Sequence, residues 1–366
     1  MKKIAIFGVN AQYKVGGTEV CINQIYNLFK DDYDIEIISG TRMSYDKFKK
    51  YKYKKLILIK LLNVKYLNYF SYFVNYFIIY KFFKVNDFDL VIANCSNSIA
   101  AINATVDKKN KAIYFVHDEF SLNKRPEYDL PKGLKAKFLR ITRRSLDYPF
   151  FIFHCIKNSK ALKSSDKVLS NSSFLANLIS NQEGITPNII YPFTQTKGRE
   201  ITNHLSSKYI TMVGSGEVKG IKTFLAVAAL MPQEEFRVVG RSLEKKQIGN
   251  VLFHPFYDDV TTMYADTKLL LVPSIWQEAF GKVSIEASSH SIPVIVSKRG
   301  GLPETVCDKE LIVNDYLDPL AWKSRVEIVM GNAIEWGEKC QKHSLKFDQS
   351  NDAQELKKLL TDLEIV

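Results

Sequence analysis

Glu278 and Glu286 stand with seven residues between them, in the stretch Val272-Pro273-Ser274-Ile275-Trp276-Gln277-Glu278-Ala279-Phe280-Gly281-Lys282-Val283-Ser284-Ile285-Glu286-Ala287. An apolar, strand-like run ends at Pro273, a short loop carries Glu278, and a helix is expected to open near Gly281. The first turn of a helix presents unbonded N–H groups and a partial positive charge, which suit a phosphate or an anionic leaving group. Gly281 lets a ligand approach the backbone closely, and Lys282 adds a cation beside it. Glu278 lies in the loop and Glu286 more than one turn into the helix. Two ionised carboxylates at different depths can accept hydrogen bonds from hydroxyls of two different sugar rings. The plainer alternative is a pair of solvated helix-end charges, which are common and mildly stabilising.

Three further groups could join them. Val213-Gly214-Ser215-Gly216-Glu217-Val218-Lys219-Gly220 lies between a strand and a helix, where Lys219 can serve a diphosphate as a compact point charge or stand as a solvated loop lysine. Gly16-Gly17 precedes a helix, with Thr18 as the expected N-cap, and leaves its amides bare or makes an ordinary turn. His117 ends a strand-like run. A neutral imidazole there can donate to a sugar hydroxyl, or fill a structural role. Asn171-Ser172 follows another such run and reads equally well as a helix cap.

Elements must bring these groups together. Runs at Ile4–Val9, Ile35–Ser39, Leu90–Asn94, Ala112–His117 and Lys167–Ser170 read as strands, with a helix over Thr18–Phe29. A second alternation comprises strands at Tyr209–Val213, Phe236–Gly240, Val251–Phe253, Leu269–Pro273 and Pro293–Val296, and helices at Ile221–Met231 and Lys282–Ser289. Alternating strand and helix implies an α/β fold with parallel, doubly wound sheets. At 366 residues the chain suits two Rossmann-like domains, expected over 1–195 and 206–344, with the polar stretch Pro192–Lys208 as linker. An amphipathic helix within 345–366 is expected to pack back on the first domain. Ligands are expected at the C-terminal edges of the two sheets, facing across a cleft. Five scattered cysteines suit a reducing cytoplasm. Met1-Lys2-Lys3 leads directly into a strand, so no leader is expected.

With this context the segment resembles the retaining GT-B glycosyltransferases of family 4, the glycosyl transferases group 1. The resemblance rests on the E-x7-E spacing of Glu278 and Glu286, Phe280-Gly281, Ile285-Glu286-Ala287, Ile292-Pro293-Val294 and Gly300-Gly301-Leu302-Pro303-Glu304. It implies that Glu278 contacts the donor sugar, the amides at Phe280 and Gly281 the sugar and diphosphate, and Glu286 the ribose. It further implies that Gly16-Gly17 and His117 face the donor, and that Lys219 stabilises the departing diphosphate. Val251–Asp259 resembles the strand and loop that receive the nucleobase, at Pro255 and Phe256, although core packing explains these aromatics as well. A retaining front-face route would use the donor's own phosphate oxygen as base. The chain departs from the pattern at Gly214-Ser215, where the family has an arginine; Arg241 is a candidate substitute. Asp31-Asp32 and Asp258-Asp259 lack Asp-x-Asp spacing, so neither a metal nor another cofactor is expected beyond the donor, with UDP favoured over GDP.

The acceptor must be read from elsewhere. The basic character behind the formal net charge of +12 belongs to the first half, which calls for an anionic partner. Residues 47–84 hold ten lysines, thirteen Phe or Tyr and no acid. Lysines interrupt this run too often for it to span a bilayer. It reads as an amphipathic surface on an anionic membrane, with Lys52, Lys54 and Lys55 at phosphates. A second stretch, Lys132–Arg144, adds Arg140, Arg143 and Arg144, followed by the apolar Tyr148–Ile156. Helices covering the first sheet are the alternative. Basic aromatic surfaces also suit single-stranded nucleic acid, but nothing else resembles such a module, and no nucleic-acid partner is expected. The expectation is a peripheral enzyme on the cytoplasmic face of a membrane, moving a sugar to a membrane- or lipid-linked glycan in bacterial surface polysaccharide assembly. Rival readings are a non-catalytic GT-B subunit and a transferase with a soluble or protein acceptor.

Overall fold

The structure is a computed structural model and describes residues 1–13, 16–41, 49–65, 67–122, 134–198, 207–241 and 243–365. The chain forms two compact units, Met1–Ile190 with Ala353–Val366, and Tyr191–Asp352.

Among the described residues the first unit has strands β1 (Lys3–Val9), β2 (Asp34–Thr41), β3 (Leu56–Lys60), β4 (Leu90–Asn94), β5 (Lys111–Val116), β6 (Lys167–Ser170) and β7 (Asn188–Ile189). They form one parallel sheet in the order β3-β2-β1-β4-β5-β6-β7. The order reverses between β1 and β4, the switch point at which such sheets open a crevice at their C-terminal edge. Helices α1 (Gly17–Phe29), α2 (Asn68–Val85), α3 (Ile99–Val106), α4 (Leu134–Ser164) and α5 (Ser173–Glu183) cover it. The core is built by near-continuous apolar strands such as Leu90-Val91-Ile92-Ala93, buried along their length.

Two expectations change here. Residues 47–84 are not one amphipathic surface: Leu56–Lys60 is an edge strand, and the helix starts only at Asn68. β-branched Ile57 and Ile59 favour the pleated edge. The buried side of α2 then carries Ser71 and Asn75 beside Ile79 and Phe83. Their polarity is used, because Asn75 bonds both the amide and carbonyl of Leu62 (2.7 and 2.9 Å), and Ser71 Oγ accepts from Val64 N–H. Thr18 is not the cap of α1 either. The helix begins at Gly17 with Gly16 as N-cap, and the Thr18 hydroxyl turns to Cys95 Sγ at 3.5 Å.

The second unit repeats the plan with β8 (Tyr209–Val213), β9 (Glu235–Val239), β10 (Lys246–Ile248), β11 (Val251–His254), β12 (Thr267–Val272), β13 (Val294–Ser297) and β14 (Ile312–Val313), ordered β10-β11-β9-β8-β12-β13-β14. All pairs are parallel except the β10–β11 hairpin. Helices α6 (Ile221–Leu230), α7 (Val260–Ala265), α8 (Lys282–Ser289), α9 (Pro319–Gly331) and α10 (Ala333–Ser344) flank it, and α11 (Gln349–Asp362) carries the chain back into the first unit. The switch point lies between β8 and β12. Among the described residues, no helix is long and apolar enough to cross a membrane.

Candidate functional site

The loops that leave β8 and β12 flank the second switch point, and they carry Lys219 and Glu278. Lys219 Nζ donates to Glu278 Oε1 at 2.5 Å, and Ser274 Oγ donates to the same oxygen at 2.8 Å. Both bonds fall on Oε1, which leaves Oε2 to accept from a ligand hydroxyl. The two loops are sewn together by Val218, whose carbonyl accepts from the amides of Ile275 and Trp276. Glycine is required in this seam. Gly220 has φ +84, and a Cβ there would lie 1.8 Å from the Pro273 carbonyl oxygen. Gly300, at φ +58, would bring a Cβ within 2.1 Å of the Glu278 carbonyl, while Gly301 N–H donates to that carbonyl at 2.7 Å. The Gly300-Gly301 loop therefore acts as a backbone brace under Glu278.

Helix α8 opens at Gly281, which has φ +114, and no side chain caps its first amides. Glu286, one turn further, accepts from Tyr264 Oη at 3.2 Å and lies 4.0 Å from Lys282 Nζ. Lys282 also donates to the Phe193 carbonyl at 3.1 Å. The Phe280 side chain is buried against Tyr191 and Phe347, with ring centroids 5.2 and 5.4 Å away. Its part in a ligand site is therefore restricted to its backbone. The Pro255 carbonyl accepts from His254 Nδ1 at 2.7 Å, whereas the Phe256 ring is exposed and lies 5.7 Å from the Arg241 guanidinium. Arg241 follows Gly240, which packs directly on Ser215, since a Cβ at Gly240 would meet Ser215 Oγ at 2.6 Å. The arginine after β9 thus stands beside the position that lacks one after β8.

In the first unit strand β1, the end of β4 and the residue after β5 meet at one side chain that sequence reasoning missed. Asn94 Nδ2 donates to the Phe7 carbonyl, and Asn94 Oδ1 lies 2.8 Å from His117 Nε2. Because that oxygen can only accept, the proton sits on Nε2, and Nδ1 keeps the lone pair. Asn94 thus fixes the tautomer and the orientation of the imidazole. Burial holds its pKa down at about 3, so it is neutral. Asn171 Nδ2 donates to the His117 carbonyl, and Ser172 caps α5 through Leu175 N–H. Gly16 and Gly17 lie at the start of α1, after β1.

The basic residues divide. Lys55 bridges Asp34 at 2.7 Å and Glu36 at 3.6 Å at the N-terminal ends of β2 and β3, with Lys52 and Lys54 in the same approach to β3. Arg143 and Arg144 lie on α4 instead. The side chain of Arg140 lies outside the described residues. Sequence reasoning also missed Ser274 and Tyr264, which hold the two glutamates, and Asp348. Burial pushes the Asp348 carboxyl up, yet bonds from the Ser350 hydroxyl and the amides of Lys197, Thr196 and Ser350 prevail and hold it well below the usual range.

Residues 195–346 match the family model described as glycosyl transferases group 1. A D-inositol 3-phosphate glycosyltransferase from Corynebacterium kroppenstedtii is 27% identical over 197 residues, covering 46% of this chain and 44% of that protein. The chain thus spans about half the length of the inositol-phosphate relatives it matches. An uncharacterized 41.2 kDa protein in the cps region of Klebsiella pneumoniae is 25% identical over 261 residues, covering 64% and 66%. Among solved structures, sucrose-phosphate synthase from Thermosynechococcus elongatus superposes with a TM-score of 0.74 at 16% identity over 100% of both chains. Anabaena HepE in complex with UDP and glucose gives 0.70 at 16%, over 99% of this chain and 100% of that one. Over residues 195–346 the chain is similar to the glycosyl transferases group 1 family, and it has the two-sheet GT-B fold.

Proposed function

We propose that the protein transfers a sugar, with retention, from a nucleotide diphosphate sugar to a hydroxyl of a membrane- or lipid-linked glycan. The observation that carries this reading is the Lys219–Glu278–Ser274 cluster beside the uncapped start of α8. Glu278 Oε2 accepts from the donor sugar, Glu286 from the ribose, and Lys219 shifts toward the diphosphate as its charge develops. In the transfer the bond from the anomeric carbon to the phosphate oxygen breaks, and the bond to the acceptor oxygen forms on the same face. The acceptor's proton passes to the leaving phosphate oxygen. No metal is part of this scheme, because Lys219 meets the charge.

A UDP-sugar is favoured; HepE, a protein of like fold, was crystallised with UDP. A role in surface polysaccharide assembly draws support from the relative encoded in a cps region. Peripheral binding at the cytoplasmic face of a membrane draws on α4. There Phe138, Ile141, Leu146, Tyr148, Ile152 and Ile156 are all exposed, with Arg143 and Arg144 among them. Such a face, apolar with basic residues interspersed, suits an anionic bilayer surface.

Thermal shift with UDP, GDP and their sugars tests the donor, since a ligand bound only by the folded state stabilises it by mass action. UDP-sugars should raise Tm, and Glu286→Ala should abolish most of the rise. Equal shifts with UDP and GDP would overturn the base preference, and no shift with any nucleotide would favour a non-catalytic subunit.

A further inference from the structure

Three helices of the first unit leave a hollow between them, lined by Tyr72, Phe73 and Tyr76 of α2, Phe153 and His154 of α4, and the opening of α3 at Ile99 and Ala100. Lys157 and Asn97 complete its rim. The seam is aromatic: Phe153 lies 4.9 Å from Phe73 and 5.2 Å from Tyr76, ring centre to ring centre.

Two polar groups in this aromatic seam lack a hydrogen-bonded or ion-paired partner among the described residues. His154 is 5% exposed, and its Nε2 is buried with no hydrogen bond. A phenylalanine would fill the same space between Tyr69 and Tyr72 without leaving a buried polar atom unsatisfied, which is destabilising. Lys157 holds its ammonium 5.5 Å from the ring centres of both Tyr76 and Phe153. Among the described residues it makes no ion pair with a carboxylate. An ammonium without a carboxylate partner and a buried imidazole nitrogen without a hydrogen bond, around one hollow, make an anion site of modest size. Its walls combine aromatic rings with polar groups; the exposed Phe77 lies 6.0 Å from Phe153 with the rings tilted, and Ile152 and Ile156, next to Phe153 and Lys157 in sequence, are exposed on α4.

We propose that this hollow binds the phosphate of a lipid phosphate, with the hydrocarbon chain lying along Phe77, Ile152 and Ile156. Lys157 pairs with the phosphate charge, His154 Nε2 bonds a phosphate oxygen, and the aromatic rings pack on the first carbons of the chain. The assignment rests on the lipid-linked acceptor read above and gives that acceptor a specific anchor, separate from general attraction to a bilayer.

Calorimetric titration of the full chain with farnesyl phosphate, farnesol and inorganic phosphate tests it, in a single detergent-free buffer below the lipid's critical concentration. Farnesyl phosphate should bind at least about tenfold more tightly than either of the other two. Lys157→Gln should lose about tenfold, the effect of removing one charge-assisted bond, and His154→Phe should lose several-fold while keeping or raising Tm. Farnesol binding as well as farnesyl phosphate would overturn the proposal in favour of a purely apolar face. Inorganic phosphate binding equally well would overturn the lipid part, and affinity unchanged in both variants would refute the assigned residues. Donor turnover by the wild type is read in parallel. Turnover without farnesyl phosphate binding refutes the anchor alone, and binding without turnover refutes the transferase reading alone.

Discussion

The two switch points share a topology and differ in electrostatics. At the β8–β12 switch an ammonium and a carboxylate meet at 2.5 Å, with the Lys219 side chain 43% exposed. At the β1–β4 switch the meeting pair is Asn94 and His117, both buried and neutral. A charged cluster near water can exchange partners with a charged ligand at little cost. A buried neutral pair can only hold a shape and present a lone pair. One fold therefore offers one charged edge and one neutral edge. The division follows from which residue types end the strands, not from the sheets themselves.

The largest expected effect probes the charged edge. Lys219→Met keeps the stem that packs on Gly214 and removes the charge, so turnover should fall about 100-fold, as when one electrostatic donor to a developing anion is lost. A fall of less than threefold, measured with saturating donor, would mean that Arg241 or the α8 amides carry that charge instead. Gly220→Ala tests the seam beneath it. With φ +84 and no room for a Cβ, it should cost about 2–3 kcal/mol, read from denaturant unfolding of the full chain.

The neutral edge is tested by titration. An imidazole held neutral to about 3, against 6.5 in the unfolded chain, contributes stability that is complete above pH 6.5. That stability is lost as pH falls, because the unfolded chain takes up a proton that the folded chain refuses. The His117 ring resonances should therefore stay constant from pH 8 to 5. A titration step in that range would show an exposed or charge-paired imidazole and would break the comparison. The smallest effect concerns Asp352, whose carboxyl burial pushes up to about 7 while it accepts from Tyr191 N–H. Its folded form keeps a proton that the unfolded chain loses, so stability falls as pH rises through this range. Asp352→Asn should raise Tm by about 1–2 °C at pH 8 and by nothing at pH 4.

The charged edge was largely legible in the sequence. Glu278, Glu286 and Lys219 sit where strand, loop and helix signals place them, because apolar runs and glycines mark those boundaries locally. The neutral edge was not. Asn94 is the last residue of an apolar strand, and its bond to His117 joins positions 23 residues apart. Nothing in composition or period announces such a pair. Leu56–Lys60 escaped for a related reason: flanking lysines masked an edge strand whose partner, β2, is set only by the sheet. Polar Ser71 and Asn75 on the buried side of α2 inverted the apparent face of that helix, since their partners lie in the preceding loop.

The central claim is that Glu278 orients the sugar of a nucleotide donor for transfer. It is tested by the rate of nucleotide release from UDP-sugars by wild type and Glu278→Gln, measured with UDP affinity in the same samples. Glu278→Gln keeps the size and an acceptor oxygen and removes the charge. The account predicts a loss of at least about 100-fold in release rate with UDP affinity changed less than threefold. Equal release rates in the two proteins would contradict it.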